Sequence, residues 1–375
     1  MASKQNYVGI DLGGSSLKIV ELKSVGKRPQ LVTYGFIEET YNIIKDENKQ
    51  AVKELGGHLK ELIKTSKITT DKAVSALPSF SVFSSIISLP YMSKKDLISA
   101  VRWEAKKFVP IPLEEMILDW EILDQPGAEG EKEDNKDIEK EAKKKDEKDK
   151  DKKEIDKQGI KKGNAKVLLT AAPKNLVNRY VELFKIVGLQ LVGLETESFA
   201  LERSLVGNDK NSIMVIDVGK AATNIIIFSG GVPTLNRSID VGGQTVTKSL
   251  IEKMGVDETQ AEQFKIDMKD SLAGKTLEEV PQPISHLINA IVNEVRYILN
   301  IYQSQNRQPI TKIILTGGSA FLPNLTDYLQ EIFRIKVFIG DPWARVIHPV
   351  EIDSMLKELG PRMSVSIGLA MREIV

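Results

Sequence analysis

Two stretches of the chain, 206 residues apart, share one pattern: an apolar run that ends in Asp-x-Gly. The first run ends at Asp11 and Gly13, and the second ends at Asp217 and Gly219. Each run is typical of a buried strand, and each is followed by a tight turn and a second apolar run. A duplicated unit predicts two similar lobes that face each other. Strand-like and helix-like segments alternate elsewhere, which indicates the α/β class.

The two Asp-x-Gly turns contain the residue types that bind phosphate and a metal ion. Glycine lets the backbone turn closely around an anion, and the exposed N–H groups of such a turn hold phosphate oxygens. An Asp at the end of each strand would face the same cleft and hold a hydrated Mg²⁺, which keeps several waters. The alternative is that Asp-x-Gly only marks a strand-to-strand turn, and its occurrence at two matching points favours the binding site. The candidate residues are Asp11 and Asp217 for the metal, and Gly13, Gly14, Ser15, Ser16, Lys18, Gly219 and Thr223 for phosphate.

A third glycine turn, Gly317-Gly318-Ser319, follows an apolar strand and precedes a predicted helix beyond Pro323. Its glycines would let an aromatic base or a ribose lie against the main chain. Alone this turn is a weak signal, since many α/β turns have the same composition. The three turns together, in this order, predict a site for ATP and Mg²⁺.

The order of these three turns resembles the actin-like ATPase superfamily. The resemblance implies a two-lobed fold of duplicated ribonuclease-H-like domains. Residues 194–201 resemble its first connecting helix, where an acidic or amide residue positions the attacking water. Alignment on Ala200 gives that role to Glu195, with Glu197 as the lesser candidate and an exposed surface charge as the alternative.

Further segments resemble the same superfamily. Gly242-Gly243 resembles the glycine pair that enters the fourth subdomain, and residues 366–370 resemble the second connecting helix. Glu262 and Lys265 resemble the helical pair that contacts adenosine, although at i,i+3 they could equally form an ordinary surface pair. The glycine pair could likewise be only a turn.

Residues 74–123, which include a predicted strand at 85–90 and a predicted helix at 95–108, are similar to the PilM family of pilus-assembly proteins, which is related to the division protein FtsA. So are residues 168–175, 187–189 and 368–372. This resemblance implies an FtsA-type 1C subdomain without a reactive site of its own. It also implies four subdomains: 1A (1–75, 173–206 and 361–375), 1C (76–172, including a charged insertion at 125–165), 2A (207–240 and 310–360) and 2B (241–309).

Composition excludes several classes of protein. The chain has 52 basic and 52 acidic residues and therefore no net field that would attract nucleic acid or an anionic membrane. The absence of cysteine excludes disulfides, thiolate metal sites and a cysteine nucleophile. No signal peptide or long apolar span is recognised, so a cytoplasmic protein is expected.

Charge is concentrated in residues 129–162, which contain 13 lysines and 13 acidic residues but only four aliphatic ones. Such a segment buries too little apolar surface to offset the entropy of ordering it. A disordered or loosely helical insertion at the tip of a hairpin is predicted, with a docking segment as the alternative. Strand-like residues flank it at 116–123 and 166–172.

Three functions follow from the resemblance. The first is an ATP-binding scaffold, at most a slow Mg²⁺-dependent ATPase, that binds the short cytoplasmic N-terminal tail of the inner-membrane protein PilN and links it to the pilus motor. Membrane association would then occur only through partners, including other pilus-assembly components, and a homo-oligomer is possible. The second is a sugar-type kinase, for which no convincing Asp base is found. The third is an FtsA-like filament, which needs an amphipathic tail that the ending Arg372-Glu-Ile-Val375 does not resemble.

Overall fold

A computed structural model of the chain describes residues 6–38, 49–90, 92, 94–109, 111–124, 164–271, 279, 281–305, 307–322 and 324–375. The charged insertion at 129–162 and the turn residue Pro323 lie outside this set. The chain divides into two compact units, Met1–Val82 with Pro173–Val375, and Phe83–Ala172. The second unit falls within the region predicted as subdomain 1C, and the division of the first unit into subdomains stays a prediction.

The first unit begins with a hairpin and its extension. Its elements are strands β1 (Asn6–Gly13), β2 (Ser16–Val25) and β3 (Arg28–Ile37), helix α1 (Lys49–Thr65) and strand β4 (Lys72–Leu77). Strand β1 is buried on both faces, as its unbroken apolar run requires. It pairs antiparallel with β2 and parallel with β4.

The second unit is a three-stranded sheet covered by one helix. It contains β5 (Phe83–Pro90), α2 (Lys94–Phe108), β6 (Met116–Asp124) and β7 (Asn164–Pro173), in the sheet order β5-β7-β6. Leu97, Val101 and Ala105 of α2 form a core with the apolar residues of β5 and β7. The strands predicted at 85–90, 116–123 and 166–172 and the helix predicted at 95–108 are confirmed.

The chain then completes the first sheet and enters the second half of the first unit. Helix α3 (Lys174–Val187) leads to β8 (Gln190–Thr196), α4 (Glu197–Leu201) and a π-helical turn at Glu202–Val206. Helix α3 ends at Gly188 in the left-handed conformation, with φ of 79°, which is the usual way to close a helix. The first sheet has the order β3-β2-β1-β4-β8.

The remaining elements build a second sheet with the same topology. They are β9 (Ser212–Val218), β10 (Thr223–Ser229), β11 (Val232–Ile239), α5 (Gly243–Met254), α6 (Glu258–Ser271), α7 (Gln282–Ser304), β12 (Ile310–Thr316), α8 (Leu325–Phe333), β13 (Lys336–Ile339) and α9 (Asp353–Met371). The order β11-β10-β9-β12-β13 repeats the first sheet strand for strand. The predicted duplication is therefore confirmed, with β9 in the place of β1.

Helices α4 and α9 cross in direct backbone contact. A Cβ atom on Gly368 of α9 would overlap the carbonyl oxygen of Ala200 in α4, so no side chain larger than hydrogen fits at this crossing. Both helices are buried here, in a cluster that also contains residues of β4, β9 and β10. The crossing therefore ties the two sheets of the first unit together.

Candidate functional site

The first predicted metal ligand, Asp11, lies near the end of β1 directly opposite Lys18 of β2. The Lys18 ammonium donates to Asp11 Oδ2 at 2.9 Å, and the two side chains are only 13% and 9% exposed. A buried carboxylate is stable when it is paired in this way. The first strand therefore supplies a carboxylate that already has a counter-charge.

The turn between β1 and β2 contains only two residues, Gly14 and Ser15, because Gly13 pairs with Ser16. A Cβ atom on Gly13 would lie 3.1 Å from the carbonyl oxygen of Ser16, whereas a Cβ atom on Gly14 would meet nothing within 4 Å. Gly14 is exposed and its neighbours are half-buried. The structure thus places all four predicted residues of this turn beside the pair of Asp11 and Lys18.

The second predicted metal ligand, Asp217, lies near the end of β9 and has no ion pair among the described residues. Burial and the charge of Asp11 raise its pKa to about 6, although Lys18 acts in the opposite direction. Asp11 and Asp217, from equivalent strands of the two sheets, are therefore close enough for their charges to interact.

A third carboxyl, the half-buried Glu197, lies close enough for the charges of Asp11 and Asp217 to act on it. It is the first residue of α4, and it accepts hydrogen bonds from the backbone N–H of Ser79 at 3.1 Å and from the Ser79 hydroxyl at 3.0 Å. Burial, followed by the charges of Asp11 and Asp217, raises the pKa of Glu197 to about 7. Glu197 can therefore exchange a proton near neutral pH.

Glu195 lies elsewhere, and its prediction needs correction. Residues 194–196 are not helical but form the end of β8, where Glu195 pairs with Ala76 of β4. The Glu195 carboxylate forms ion pairs with Arg203 and, at 3.4 Å, with Arg372. Burial and the nearby Arg372 lower the pKa of Arg203 to about 10. Glu195 thus joins the π-helical turn to the end of α9, whereas Glu197, the lesser candidate, is the first residue of helix α4.

The glycines of the second and third turns allow neighbouring stretches of backbone to come into close contact. The amide of Gly243 donates to the carbonyl oxygen of Gly219 at 2.9 Å, and the amide of Ser319 donates to Val218 at 2.9 Å. A Cβ atom on Gly242 would lie 2.6 Å from the Gly219 carbonyl oxygen. The turn after β9 is therefore held between the start of α5 and the turn after β12, as the predicted site requires.

Gly317 has a strict conformational reason to be glycine. Its φ is 90°, and a Cβ atom would overlap Asp217 Oδ1. Its neighbour Gly318 is open, since only the Arg362 Nε atom would come within 4 Å of a Cβ, at 3.8 Å. The third turn can approach the second carboxylate only because residue 317 has no side chain.

Glu262 and Lys265 form a hydrogen-bonded group at the start of α5. Lys265 Nζ donates to Glu262 Oε2 at 2.8 Å and to the carbonyl oxygen of Gly243 at 3.3 Å, and Thr247 donates to Glu262 Oε1 at 2.6 Å. Burial acts to raise the pKa of Glu262, but the bonds from Lys265 and Thr247 outweigh it and lower that pKa. The lysine, only 13% exposed, is held against the glycine pair rather than on an open surface.

Two side chains of the second turn differ from expectation. The Thr223 hydroxyl, predicted as a phosphate donor, donates to the carbonyl oxygen of Val241 at 2.7 Å, so its proton is not available to a phosphate in this arrangement. A lysine directly after Gly219 could bind phosphate or alter metal placement, but Lys220 instead reaches Glu258 at 3.2 Å. The second turn thus offers its backbone and Asp217 rather than added side-chain donors.

Three residues of the site were not found from the sequence. Ser79 holds Glu197, Asn224 Nδ2 lies 3.5 Å from the same carboxylate, and the buried hydroxyl of Tyr180 on α3 has no hydrogen-bond partner in the described part of the chain. The charges of Glu197 and Asp11 add to burial in raising the pKa of Tyr180. Asn224 follows Thr223 directly and could have been included with it, whereas no local signal marks Tyr180.

The carboxylates fit a magnesium ion that keeps most of its water. No cluster of three or more His, Cys, Asp or Glu side chains suited to a full protein cage occurs in the ranges that the structure describes. Two carboxylates beside a glycine-lined space fit an octahedral ion with several retained waters and phosphate ligands. Among the same residues, no helix is both long and apolar enough to cross a bilayer.

A shallow cavity of about 380 Å³ opens beside α5 and α7 and does not include the predicted site residues. Its lining surface is equally polar and apolar, and it includes Ala221 from the turn after β9. The remaining lining residues are Asp240, Gln244, Thr245, Lys248, Ser249, Glu252, Pro283 and His286. The carboxylates, which carry the candidate chemistry, lie apart from this depression.

The family model of the type IV pilus assembly protein PilM matches residues 9–163 and 144–374. The chain belongs to the PilM family. The cell division protein FtsA of Escherichia coli K12 is 26% identical to this PilM-family chain over 209 residues, 48% of the chain and 49% of FtsA. FtsA of Bacillus subtilis is 21% identical over 196 residues, 46% of the chain and 44% of FtsA. The chain thus spans about half the length of the curated relatives it matches.

Solved structures support the fold. The PilM chain of a PilM-PilN type IV pilus biogenesis complex superposes with a TM-score of 0.78 at 23% identity, with 98% of both chains covered. The ethanolamine utilization protein EutJ of Carboxydothermus hydrogenoformans gives a TM-score of 0.52 at 13% identity, covering 98% of this chain and 89% of EutJ. Together with FtsA, these neighbours establish the actin-like ATPase fold expected from the sequence.

Proposed function

We propose that this PilM-family chain is an ATP-binding scaffold of the type IV pilus assembly machinery, in which bound nucleotide sets how the two sheets of the first unit meet. The observation that carries the proposal is the meeting of Asp11 and Asp217, from equivalent strands, beside three glycine turns. A ligand that contacts both halves biases their separation only by binding one arrangement better than another. A nucleotide triphosphate with Mg²⁺ has the charge and length to do so.

The chain's own residues would hold that ligand as follows. Asp11 and Asp217 would orient the waters of Mg²⁺, and the ion would supply charge neutralisation to the phosphates. Lys18 already lies at this point and would neutralise phosphate oxygens, while the turn at Gly14 presents open backbone. The adenosine would lie against Gly318 and the group formed by Glu262 and Lys265.

Any hydrolysis would depend on Glu197 rather than on Glu195. A carboxyl with a pKa of about 7 is half ionised at neutral pH and can accept a proton from an attacking water. Its bonds from Ser79 fix its orientation. The proposed site has a candidate base and candidate metal ligands. No pocket for a sugar-type acceptor is recognised among the described residues, so slow ATP hydrolysis is the activity we propose.

The partner would be the cytoplasmic N-terminal tail of a PilN-like inner-membrane protein, which in turn would connect the chain to the pilus motor and place it at the cytoplasmic face of the inner membrane. Support comes from membership of the PilM family and from the fold neighbour solved as a PilM-PilN complex. Neither nucleic acid nor any other partner class is part of the proposal.

Calorimetry tests both parts of the proposal. A synthetic peptide matching the tail of the host's PilN-like protein is titrated into the chain with and without Mg-ATP. Saturable binding that changes with nucleotide is expected, and it would identify ATP as a switch. Saturable binding that ignores nucleotide would make ATP a structural ligand. Absence of peptide binding while Mg-ATP still binds would contradict the scaffold proposal.

A further inference from the structure

Helix α2 of the second unit has an outer face that its core does not explain. Its inner face packs Leu97, Val101 and Ala105 into the core of that unit. On the other side, Ile98, Trp103 and Phe108 are 44%, 67% and 46% exposed. A tryptophan left mostly in water on a regular helix marks a surface that is covered by something else.

Cations accompany these apolar groups. Ile98, Arg102 and Lys106 follow one another at i,i+4 along the outer face, and Trp103 belongs to the neighbouring row. The Lys106 ammonium lies 5.8 Å from the centre of the Trp103 ring. Both Arg102 and Lys106 are exposed, and neither forms an ion pair with a carboxylate that the structure describes.

Two acidic residues of the same unit lie on another surface. In β6, alternate residues such as Leu118 and Trp120 pack against the core that contains α2. Asp119 and Glu121 alternate with them and are exposed, so they point to the opposite face of the sheet.

Helix α2 itself carries two acidic residues. Asp96 is exposed in the first turn, two turns before Trp103 in the same row, and Glu104 is paired with Lys107 at 2.8 Å. Around Trp103 itself, Arg102 and Lys106 therefore remain without a carboxylate partner among the described residues.

We infer that the α2 outer face, formed by Ile98, Arg102, Trp103, Lys106 and Phe108, docks on the surface of an anionic lipid bilayer. Tryptophan prefers the headgroup level of a membrane, and flanking Lys and Arg interact with anionic headgroups there. A flat bilayer suits the convex side of a helix, whereas a peptide ligand needs a groove or a sheet edge to fix its direction. Charge complementarity and shape thus favour lipid over an acidic peptide.

The expected contact is weak by itself. Each cation at an anionic surface contributes about fivefold in affinity, so two cations and one tryptophan give transient binding. Such a contact becomes effective when another attachment already holds the chain near the bilayer, because the second contact is then intramolecular. In this respect only, the inference rests on the proposed function.

Vesicle sedimentation tests the inference without peptide or nucleotide. The full chain is mixed with neutral phosphatidylcholine vesicles or with vesicles in which about a third of the lipid is phosphatidylglycerol, and several-fold more protein is expected on the anionic ones. The double variant Arg102→Glu with Lys106→Glu should lose at least about tenfold of that binding. The matched control reverses two exposed lysines at the same spacing on α1, Lys60→Glu with Lys64→Glu, and should bind as the wild type does.

Trp103 gives a direct readout of contact. Its fluorescence should shift to shorter wavelength on anionic vesicles and be quenched by brominated lipid. Trp103→Phe keeps an aromatic ring, so it should retain most of the binding while that spectral change disappears. Both variants change exposed residues, and an unchanged thermal melt confirms that each is folded.

Three outcomes would overturn the inference. They are equal binding to neutral and anionic vesicles, equal loss in the α1 control, and a double variant that binds vesicles normally but no longer binds the PilN tail peptide. The last would show that the face recognises protein. The vesicle assay contains neither peptide nor nucleotide. Its result can therefore contradict the lipid contact while the proposed function holds, and it can support the lipid contact while the proposed function fails.

Discussion

The two sheets of the first unit share one topology but treat their equivalent carboxylates differently. In the first sheet, Asp11 is paired with Lys18 across a two-residue turn. In the second, Asp217 is half-buried without an ion pair in the described structure, and the turn lysine, Lys220, reaches Glu258. Duplication thus preserved the strands and changed the charges. In the first half, the charge of Asp11 is already neutralised by Lys18. In the second half, the charge of Asp217 is unfavourable until a cation binds.

The largest expected effect comes from removing the charge of each carboxylate separately. Asp217→Asn should weaken Mg-ATP binding about 100-fold or more, yet raise the melting temperature of the ligand-free chain, because a poorly solvated charge is lost. Asp11→Asn should weaken binding similarly but destabilise the chain by about 2–3 kcal/mol, since Lys18 is left buried without its partner. Calorimetry and thermal unfolding measure the two quantities.

The half-buried pair of Lys312 and Asp209 gives the control for these variants. Asp209→Asn removes a carboxylate of the second half outside the site and should leave Mg-ATP affinity unchanged. We expect the stability of the ligand-free chain to rise in Asp217→Asn and to fall in Asp11→Asn. Changes of the same sign would show that the two carboxylates do not differ in how their charges are compensated.

The next effect tests the close approach of the third turn to Asp217. Gly317→Ala introduces a Cβ atom at φ of 90° and against the Asp217 carboxylate, so we expect a loss of about 2–3 kcal/mol in the free energy of unfolding. Gly318→Ala, one residue away in open space, should change it by less than about 0.5 kcal/mol. Urea titrations of both variants suffice, and equal effects would show that the third turn is not held against the second half.

A pH dependence of similar size should come from Glu197. Its pKa is raised from 4.5 to about 7, so the folded chain binds this proton more tightly than the unfolded chain. Stability of the ligand-free chain should therefore fall as pH rises between these two values, by about 3 kcal/mol. Below about pH 4.5 the carboxyl is protonated in both states and contributes no further change.

Chemical denaturation at a series of pH values measures this slope. Glu197→Gln should flatten it between about pH 6 and pH 7, because the amide does not titrate, while Asp217, whose pKa is raised to about 6, still gives a slope at lower pH. Asp209→Asn serves as the control, since the hydrogen bond from Lys312 holds the pKa of that carboxyl at about 2, outside the window. A slope between about pH 6 and pH 7 that persists in Glu197→Gln would assign the titration to another group.

The smallest effect compares the two lysines near the turns. Lys18→Met should weaken Mg-ATP binding by about tenfold, because it removes a buried charge beside the phosphates. Lys220→Met should change the affinity by no more than about twofold, since its pair with Glu258 is exposed to solvent. Calorimetry of the two variants measures both affinities for Mg-ATP. Equal losses of affinity would mean that the lysines of both turns bind phosphate.

The sequence was sufficient where the signal is local. The apolar strands, the glycine turns and the helices predicted near Phe108, Met254 and Ala370 are confirmed, because period and turn chemistry determine them. The duplication was visible because its two copies share the Asp-x-Gly pattern. Topology then followed from the repeat.

The site was harder to predict where a shift of one or two residues in the start of a helix changes the direction in which a side chain points. Glu195 and Glu197 are two residues apart, and the sequence predicted a helix that begins one turn too early, since the chain is still extended at Glu195. Tyr180 and Ser79 reach Glu197 from distant segments. No pattern in either segment could reveal that meeting, because it depends on how α3 and β4 pack.

The contact of α4 with α9 at Gly368 has a mechanical consequence. Because backbone meets backbone there, the crossing is the thinnest part of the link between the sheets, and a relative rotation would have its pivot at this point. The carboxylates lie near the pivot, whereas β3 and β11 form the outer edges of their sheets. A change of a fraction of an ångström in the distance between Asp11 and Asp217 would thus occur close to the pivot. It would produce a larger displacement at the outer edges of the sheets, where a second protein could detect it.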